Sequence, residues 1–462
     1  MQHEPRISRR QFLIAGIVAA HGLLIDHVQR TIGYAVRPSD AAPVVTARVY
    51  CPLIVVDKRD TPLTSTLSPA ATPSPTATLS PTATPSPIAT LSPTATPSPT
   101  ATPSPTATPS PTAMPSPTTT SVPLLRHHVV HTYSSRATFW NYSTGWYGDS
   151  VDARVVAAMV DEGVTRLTRT ATRADAWAAL LPHYQPGQRI GIKVNFNNAD
   201  RNDNDNQIDA LMDPINAIIA GLLAIGVAQQ DIWIFDVSHG DRQGVIPLRF
   251  KRRCAYPDIQ YASYADEHPE LGFSTTEKIR FNAPPNAPIP DLAICNALVN
   301  LHYLINMPIM KRHVGAGISL GFKNHFGSID RCNVLHNYTD IGARFYSSTY
   351  NPLVDINNHP QIRGKTVLTI GDGLFGDRIN NLSVPQRWRT FGNAAPNSLF
   401  FSRDPVAIDC VMADFLRAES GETPSADDYL RLAAEAGLGV YERGDPWGSG
   451  YSRIVYERVN LT

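Results

Sequence analysis

The sequence predicts an α/β fold: a mostly parallel sheet flanked by helices, built as one large domain or as two intimate lobes. Two observations carry this. Apolar runs rich in β-branched residues alternate with segments of helical periodicity, which is the pattern of a sheet with helices on its faces. The chain after Pro123 also has ordinary globular composition and exceeds the length at which a single core usually stops growing.

The elements follow in order. "RVVAAMVDEGVTRLT" and "RADAWAALLPHY" space their apolar residues as helices do, and "QRIGIKVNF" reads as a strand behind the turn signal "QPGQ". "MDPINAIIAGLLAIGV" reads as a helix with Asp213 as N-cap, Pro214 at the first helical position and Gly226 past the last turn. "DIWIFDVSHGD" supplies the next strand, and strand, helix, strand in this order make a right-handed βαβ unit. "LINMP" is a short strand leading to "GISLGFKNHFG", read as a helix that Gly327 ends. "KTVLTIGDGLFG" is a strand closing in a Gly-Asp-Gly turn. "NSLFFSRDPVAIDCVMADFLRAES" is a strand, then a helix capped by Asp404 with Pro405 at its first position.

Four segments divide the chain. In residues 1–41, Arg9 and Arg10 precede an apolar run too short to span a bilayer comfortably, a form that resembles a twin-arginine export signal. The expected location is extracytoplasmic, secreted or membrane-tethered. Membrane contact is expected only through this segment, if it stays uncleaved. Residues 42–61 connect. Residues 62–123 repeat "SPTATP" without a charge and cannot bury enough apolar surface to order, so they read as a disordered linker. Residues 124–462 form the folded domain.

Lys plus Arg and Asp plus Glu both number 40, and that balance gives no reason to expect nucleic acid. The 5 cysteines, Cys51, Cys254, Cys295, Cys332 and Cys410, lie far apart with no C-x-x-C, so no zinc–thiolate or iron–sulfur site is expected. Gly-rich phosphate loops and the G-x-S-x-G elbow are missing too.

The chemistry concentrates in "LINMPIMKRHVGAGISLGFKNHFGSI", where charges interrupt an apolar run and so need partners or a ligand. Ligands of open parallel sheets bind beyond the carboxyl ends of the strands. If every strand is parallel, Asn195, Asp236, Lys311, His313, Asp372 and Asp404 all gather there. Lys311 and Lys323 suit an anion, and His313 can act as acid, base or ligand. We expect His313, Lys311 and Asp409 to be catalytic, and Lys323, Asn324, Asn195, Lys193 and Asp236 to bind substrate. Asp372 and Asp404 would hold a divalent metal of the magnesium or manganese type. Asp409, on an apolar helix, needs a partner, and Lys311 or Lys323 is the natural one. The plainer alternatives are surface lysines with a core histidine, Asp404 as a cap alone, and Asp372 as a turn residue. "NADRNDNDNQID" fails the calcium-loop spacing and reads as a solvated loop, while Asp236 and His239 either join the cleft or do not.

"RIGIKVNF", "INMPIMKRHVGAGISLGFKNHFG", "IGDGLFG" and "SRDPVAIDCVMADFL" together resemble the domain-of-unknown-function 362 family. The resemblance matches Pro308, Lys311 and His313, then Lys323, Asn324 and Gly327, then Asp404, Pro405, Val406, Ala407 and Asp409. Many relatives carry a ferredoxin-like iron–sulfur segment, which this chain lacks. The resemblance supports the fold and the site and implies no reaction. The expectation is an exported enzyme acting on a small anionic substrate, with or without a divalent metal. The alternatives are a stalk-displayed binding module without catalysis and a set of purely structural charges.

Overall fold

Along the strand Ile232–Asp236, Ile232 and Ile234 enter one hydrophobic core while Trp233 and Phe235 enter another. Successive side chains of a strand point to opposite faces, so this strand is buried on both. The computed structural model describes residues 125, 127–199, 205–238, 245–264, 268, 271–380 and 384–462. The signal-like segment, the connecting segment, the Pro-rich linker, Cys51, His239 and the middle of the acidic loop lie outside these residues.

Twelve strands are present among the described residues: β1 (His128–Tyr133), β2 (Ile190–Lys193), β3 (Ile232–Asp236), β4 (Gln260–Ser263), β5 (Phe273–Ile279) and β6 (Leu292–Cys295), then β7 (Tyr303–Asn306), β8 (Ile309–His313), β9 (Gly317–Ile318), β10 (Thr366–Asp377), β11 (Ser398–Ser402) and β12 (Val455–Asn460). The main sheet runs β12-β1-β11-β10-β7-β2-β3-β4, with β8 beside β10 and β9 beside β8; β5 and β6 pair separately. Strands β10, β7, β2, β3 and β4 are mutually parallel. Strand β11 is antiparallel to both of its neighbours, β10 and β1.

Helices α1 (Ala153–Thr168), α2 (Arg173–Leu180) and α3 (Met212–Ala224) cover one face, where Val160, Trp177 and Ile218 pack on Val130, Ile192, Ile305 and Phe401. A one-turn helix α4 (Gly321–Asn324) and the longer α5 (Pro405–Ser420) and α6 (Pro424–Glu435) cover the other. There Val411, Phe415 and Leu430 share a core with Phe235, Leu304 and Phe400. Each such fully buried side chain contributes about 1.5–3 kcal/mol of burial. The result is one sheet between two helical layers, not two lobes. Among the described residues no helix is long and apolar enough to cross a membrane.

Four local expectations change. Asp213 sits inside α3 and binds the Arg253 guanidinium at 2.9 Å, while the cap position is Leu211. The segment read as the helix "GISLGFKNHFG" is instead the short strand β9 hairpinned to β8, then α4, then a 3₁₀ turn over His325–Ser328. Gly317, at φ +80°, makes that hairpin where a helix would need φ < 0. The Gly-Asp-Gly "turn" continues as strand β10, and its glycines serve packing: a Cβ on Gly371 would lie 2.2 Å from the Met412 sulfur. Last, because β11 is antiparallel, its carboxyl end lies at the opposite sheet edge, and Asp404 goes with it.

Candidate functional site

Strand β2 ends in Lys193 and then Asn195, β3 ends in Asp236, and β8 carries Lys311 and His313; α4 adds Lys323 and Asn324. All seven are buried. They form a lower network and an upper cavity.

In the lower network the Lys193 ammonium lies 3.4 Å from Asp236 and donates to the Val194 carbonyl at 2.6 Å. Asp236 also accepts the Phe196 N–H at 2.6 Å and both the N–H and the hydroxyl of Ser238. Gly327 passes so close that a Cβ would sit 2.0 Å from Asp236 and 2.8 Å from the Lys193 nitrogen. Asn324 donates to Asn306 at 2.8 Å and accepts from Asn195 at 3.3 Å. Lys311 donates to Asn195 Oδ1 at 3.0 Å. Burial pushes Lys311 down to about 8 against the pull of Asp209 and Asp377. These groups are committed to one another. Lys193, Asp236 and Lys311 therefore build the floor, and none of the three is among the residues that line the upper cavity.

The upper cavity, about 80 Å³, is lined by Asn195, His313, Ser319, Lys323, Phe326 and His336 among others. Lys323 rests its ammonium 3.8 Å from the Phe326 ring centroid and makes no hydrogen bond or ion pair among the described residues. Burial pushes it down to about 8, with Asp340 opposing. His313 Nδ1 accepts the N–H groups of Gly315 and Ala316 at 3.2 and 3.1 Å. Burial, and then Lys323, holds His313 well below the ordinary histidine value, so the ring is neutral at pH 7. His336 stacks on His313 with centroids 5.5 Å apart and rings 16° from parallel. Its Nδ1 faces both carboxylate oxygens of Asp340, at 3.2 and 3.1 Å. Burial works to raise the Asp340 carboxyl, but His336 and Lys323 outweigh it and hold the group low.

Three expected site residues stand elsewhere. Asp409 has no lysine partner: its oxygens accept the N–H groups of Gly321 and Phe322, and burial raises it to about 7. Asp372, within β10, accepts the Leu374 N–H at 3.0 Å, and burial raises it to about 7 with no cation among its influences. Asp404 caps α5 through Val406 and Ala407, accepts the Val440 N–H, and meets His127 Nδ1 at 2.5 Å. Since Ser402 pairs with Thr369, Asp404 and Asp372 are five residue steps apart along the sheet, about 16 Å. One metal ion cannot join them.

Sequence reasoning missed His336, Asp340 and Asp209. The first two were legible as an i, i+4 pair in "HNYTD", a spacing that puts both on one side of a helical turn. Asp209 ends the acidic stretch read as solvated, yet it is buried, raised to about 7, and neither of its carboxylate oxygens is hydrogen-bonded among the described residues.

Residues 190–414 match the model of the family described as domain of unknown function (DUF362). This DUF362-like region is just under half of the chain. That span contains the lower network, the cavity and Asp409, whereas β1, β12, α1 and α2 of the same fold lie outside it. No curated protein matches the chain. Among solved structures it is similar to the lactate racemase apoprotein of Thermoanaerobacterium thermosaccharolyticum, at 14% identity and TM-score 0.33, over 56% of this chain and 54% of that one. It is also similar to a Thermotoga maritima protein of known crystal structure, at 10% identity and TM-score 0.35, over 62% and 59% of the two chains. The chain thus spans less than two thirds of either structure, and likeness at this level says nothing about its chemistry.

Proposed function

We propose that the DUF362-like domain is an enzyme that draws a small anionic substrate into the upper cavity, with Lys323 as its anchor and the paired imidazoles of His313 and His336 as the groups that act on it. The observation that carries this reading is the Lys323 ammonium: buried, facing a polar cavity, and without an ionic partner among the described residues. A buried lone cation is costly, and an anion supplies the missing partner. At 4 Å and an effective dielectric constant of 20 the attraction is about 4 kcal/mol. Ser319 lines the same space and offers a hydroxyl that fixes orientation. The neutral His313 offers an uncharged ring to the anion at pH 7.

Calorimetric titration of the full-length chain with inorganic phosphate and with short mono- and dicarboxylates tests the proposal. At least one anion is expected to bind, and Lys323→Gln is expected to abolish the binding without unfolding the chain. Anion binding that ignores Lys323→Gln would remove the anchor. Binding with no turnover of any anion that binds would leave a binding module. We also propose that residues 1–41 export the chain, because Arg9 and Arg10 precede a short apolar run; cell fractionation of an Arg9→Ala/Arg10→Ala variant tests this.

A further inference from the structure

We infer that His313, His336 and Asp340 form a site for a divalent transition-metal ion of the zinc, nickel or cobalt class in the wall of the same cavity. This deepens the anion reading, and it rests on that reading only where it places the anion between the ion and Lys323.

One donor atom from each of the three residues lies within 4.8 Å of the other two. Some point then lies no more than about 2.8 Å from all three, so a contraction of under ~1 Å reaches the 2.0–2.2 Å of zinc–nitrogen and zinc–oxygen bonds. The 3.1 and 3.2 Å between His336 Nδ1 and the Asp340 oxygens already match two neighbouring ligands. Ligands about 2.1 Å from one ion are about 3.0–3.4 Å apart at angles of 90–109°.

Local structure holds the set together. His336 opens the one-turn helix His336–Thr339 and Asp340 closes it, so the turn puts both on one side. His313 ends β8 and reaches them from the hairpin. Gly315 makes room, because a Cβ there would lie 2.2 Å from the Asp340 carboxyl carbon. His336 Nε2 has no hydrogen-bond partner among the described residues, and His313 presents its lone pair at Nδ1, where an ion would displace the two backbone N–H groups it now accepts.

The donor set selects the ion. Two imidazoles and one carboxylate suit borderline transition metals, whereas magnesium and calcium take oxygen ligands. Three protein ligands leave a coordination position open, the arrangement of catalytic and not of structural zinc sites. Lys323 lines the same cavity and would repel a bare dication. A small anion held by both relieves the repulsion, so metal and anion bind cooperatively.

The same three residues could instead hold a proton on His336 Nδ1 where the ion would sit, and the two arrangements separate by titration. The untagged full-length chain, stripped with a chelator, is titrated with Co²⁺ alone and followed by visible absorption and calorimetry. One equivalent is expected to bind with d–d bands of a four- or five-coordinate ion. His336→Ala and Asp340→Asn are expected to weaken it at least about tenfold. Gly315→Ala, which displaces Asp340 and deletes no donor, is expected to act in the same direction. Thermal unfolding without metal shows whether each variant folds. If they do not fold, pulsed electron paramagnetic resonance of the wild-type chain with one equivalent of Cu²⁺ decides. Coupling to two histidine nitrogens is expected, and coupling to fewer overturns the site. No stoichiometric Co²⁺ binding, or equal binding by folded variants, overturns it too and leaves a protonated Asp340–His336 pair. Phosphate titrated with and without Co²⁺ separates the two readings. Phosphate bound through Lys323 with no Co²⁺ site sinks this inference alone, and a Co²⁺ site without Lys323-dependent phosphate binding sinks the anion reading alone.

Discussion

Asp409 Oδ1 accepts the Gly321 N–H at 2.8 Å, while Oδ2 accepts the Phe322 N–H at 3.0 Å. One carboxylate on α5 therefore satisfies the opening of α4, the single turn that carries Lys323 and Asn324. A four-residue helix cannot hold itself together, since nucleation fixes several residues for one hydrogen bond. Asp409 supplies what the turn lacks.

Asp409→Ala should leave two buried N–H groups without acceptors and cost about 2–4 kcal/mol, read as a lower urea midpoint. Anion affinity should fall as well, although Asp409 never faces the cavity, because the Lys323 turn loosens. Asp409→Asn should do less of both, since its amide oxygen still serves one of the two donors. Unchanged stability in the alanine variant would show that other groups fix the turn.

Lys323 should behave oppositely. Its ammonium is buried and its nearest aromatic contact, Phe326, compensates only in part. Lys323→Met, which keeps the stem and deletes the charge, should raise stability at pH 7 by up to about 3 kcal/mol, the scale of a lysine depressed from 10.5 to about 8. It should also abolish anion binding. The charge is lost as pH rises through about 8, so wild-type anion affinity should decline above that pH while Lys323→Met shows no such step. A variant destabilised as Lys193→Met should be, by about 3–5 kcal/mol from stranding Asp236, would mean that Lys323 is structural after all.

The α/β alternation and the cluster near "KRHVGAGISLGFKNHFG" were legible because both rest on local signals: periodicity, caps, and charges inside apolar runs. What was not legible was strand direction. Asp404 and Asp372 looked like neighbours only on the assumption of an all-parallel sheet, and β11 reverses that by pairing antiparallel with β10 and β1. Partners across long separations were hidden too. Asp409 looked like a carboxylate in need of a lysine, but two backbone N–H groups 87 and 88 residues away take that role. The glycines misled for a physical reason. Gly371 and Gly373 read as turn formers, whereas the structure uses their missing side chains to admit Met412 and Met310.

Asp404 provides a contrast within the same motif. Its side chain caps α5 and ties down Val440 at the far sheet edge, so Asp404→Ala should cost about 1–2 kcal/mol. Affinity for Co²⁺ and for phosphate should stay at the wild-type value. A loss of either ligand would tie the two sheet edges together in a way their separation does not suggest.

Asp372 tests how burial sets the response to pH. Burial raises its carboxyl from the ordinary 3.8 to about 7, and no cation offsets this. Between those values the native state keeps a proton that the unfolded chain has released. Its contribution to stability is therefore complete below about 4 and is lost as pH rises through 7. Asp209 and Asp409 act in the same sense, while buried His313 and His325 act oppositely because they must charge as pH falls. The wild-type profile mixes these signs, so the readout is the difference made by Asp372→Asn, whose amide oxygen can still accept the Leu374 N–H. That difference should be near zero at pH 4. It should grow by up to about 1.4 kcal/mol per pH unit through the interval and level off above pH 7, where the variant is the more stable. Urea unfolding at pH 4, 5.5, 7 and 8 measures it, and a flat difference would mean that the carboxylate is solvated in the native state.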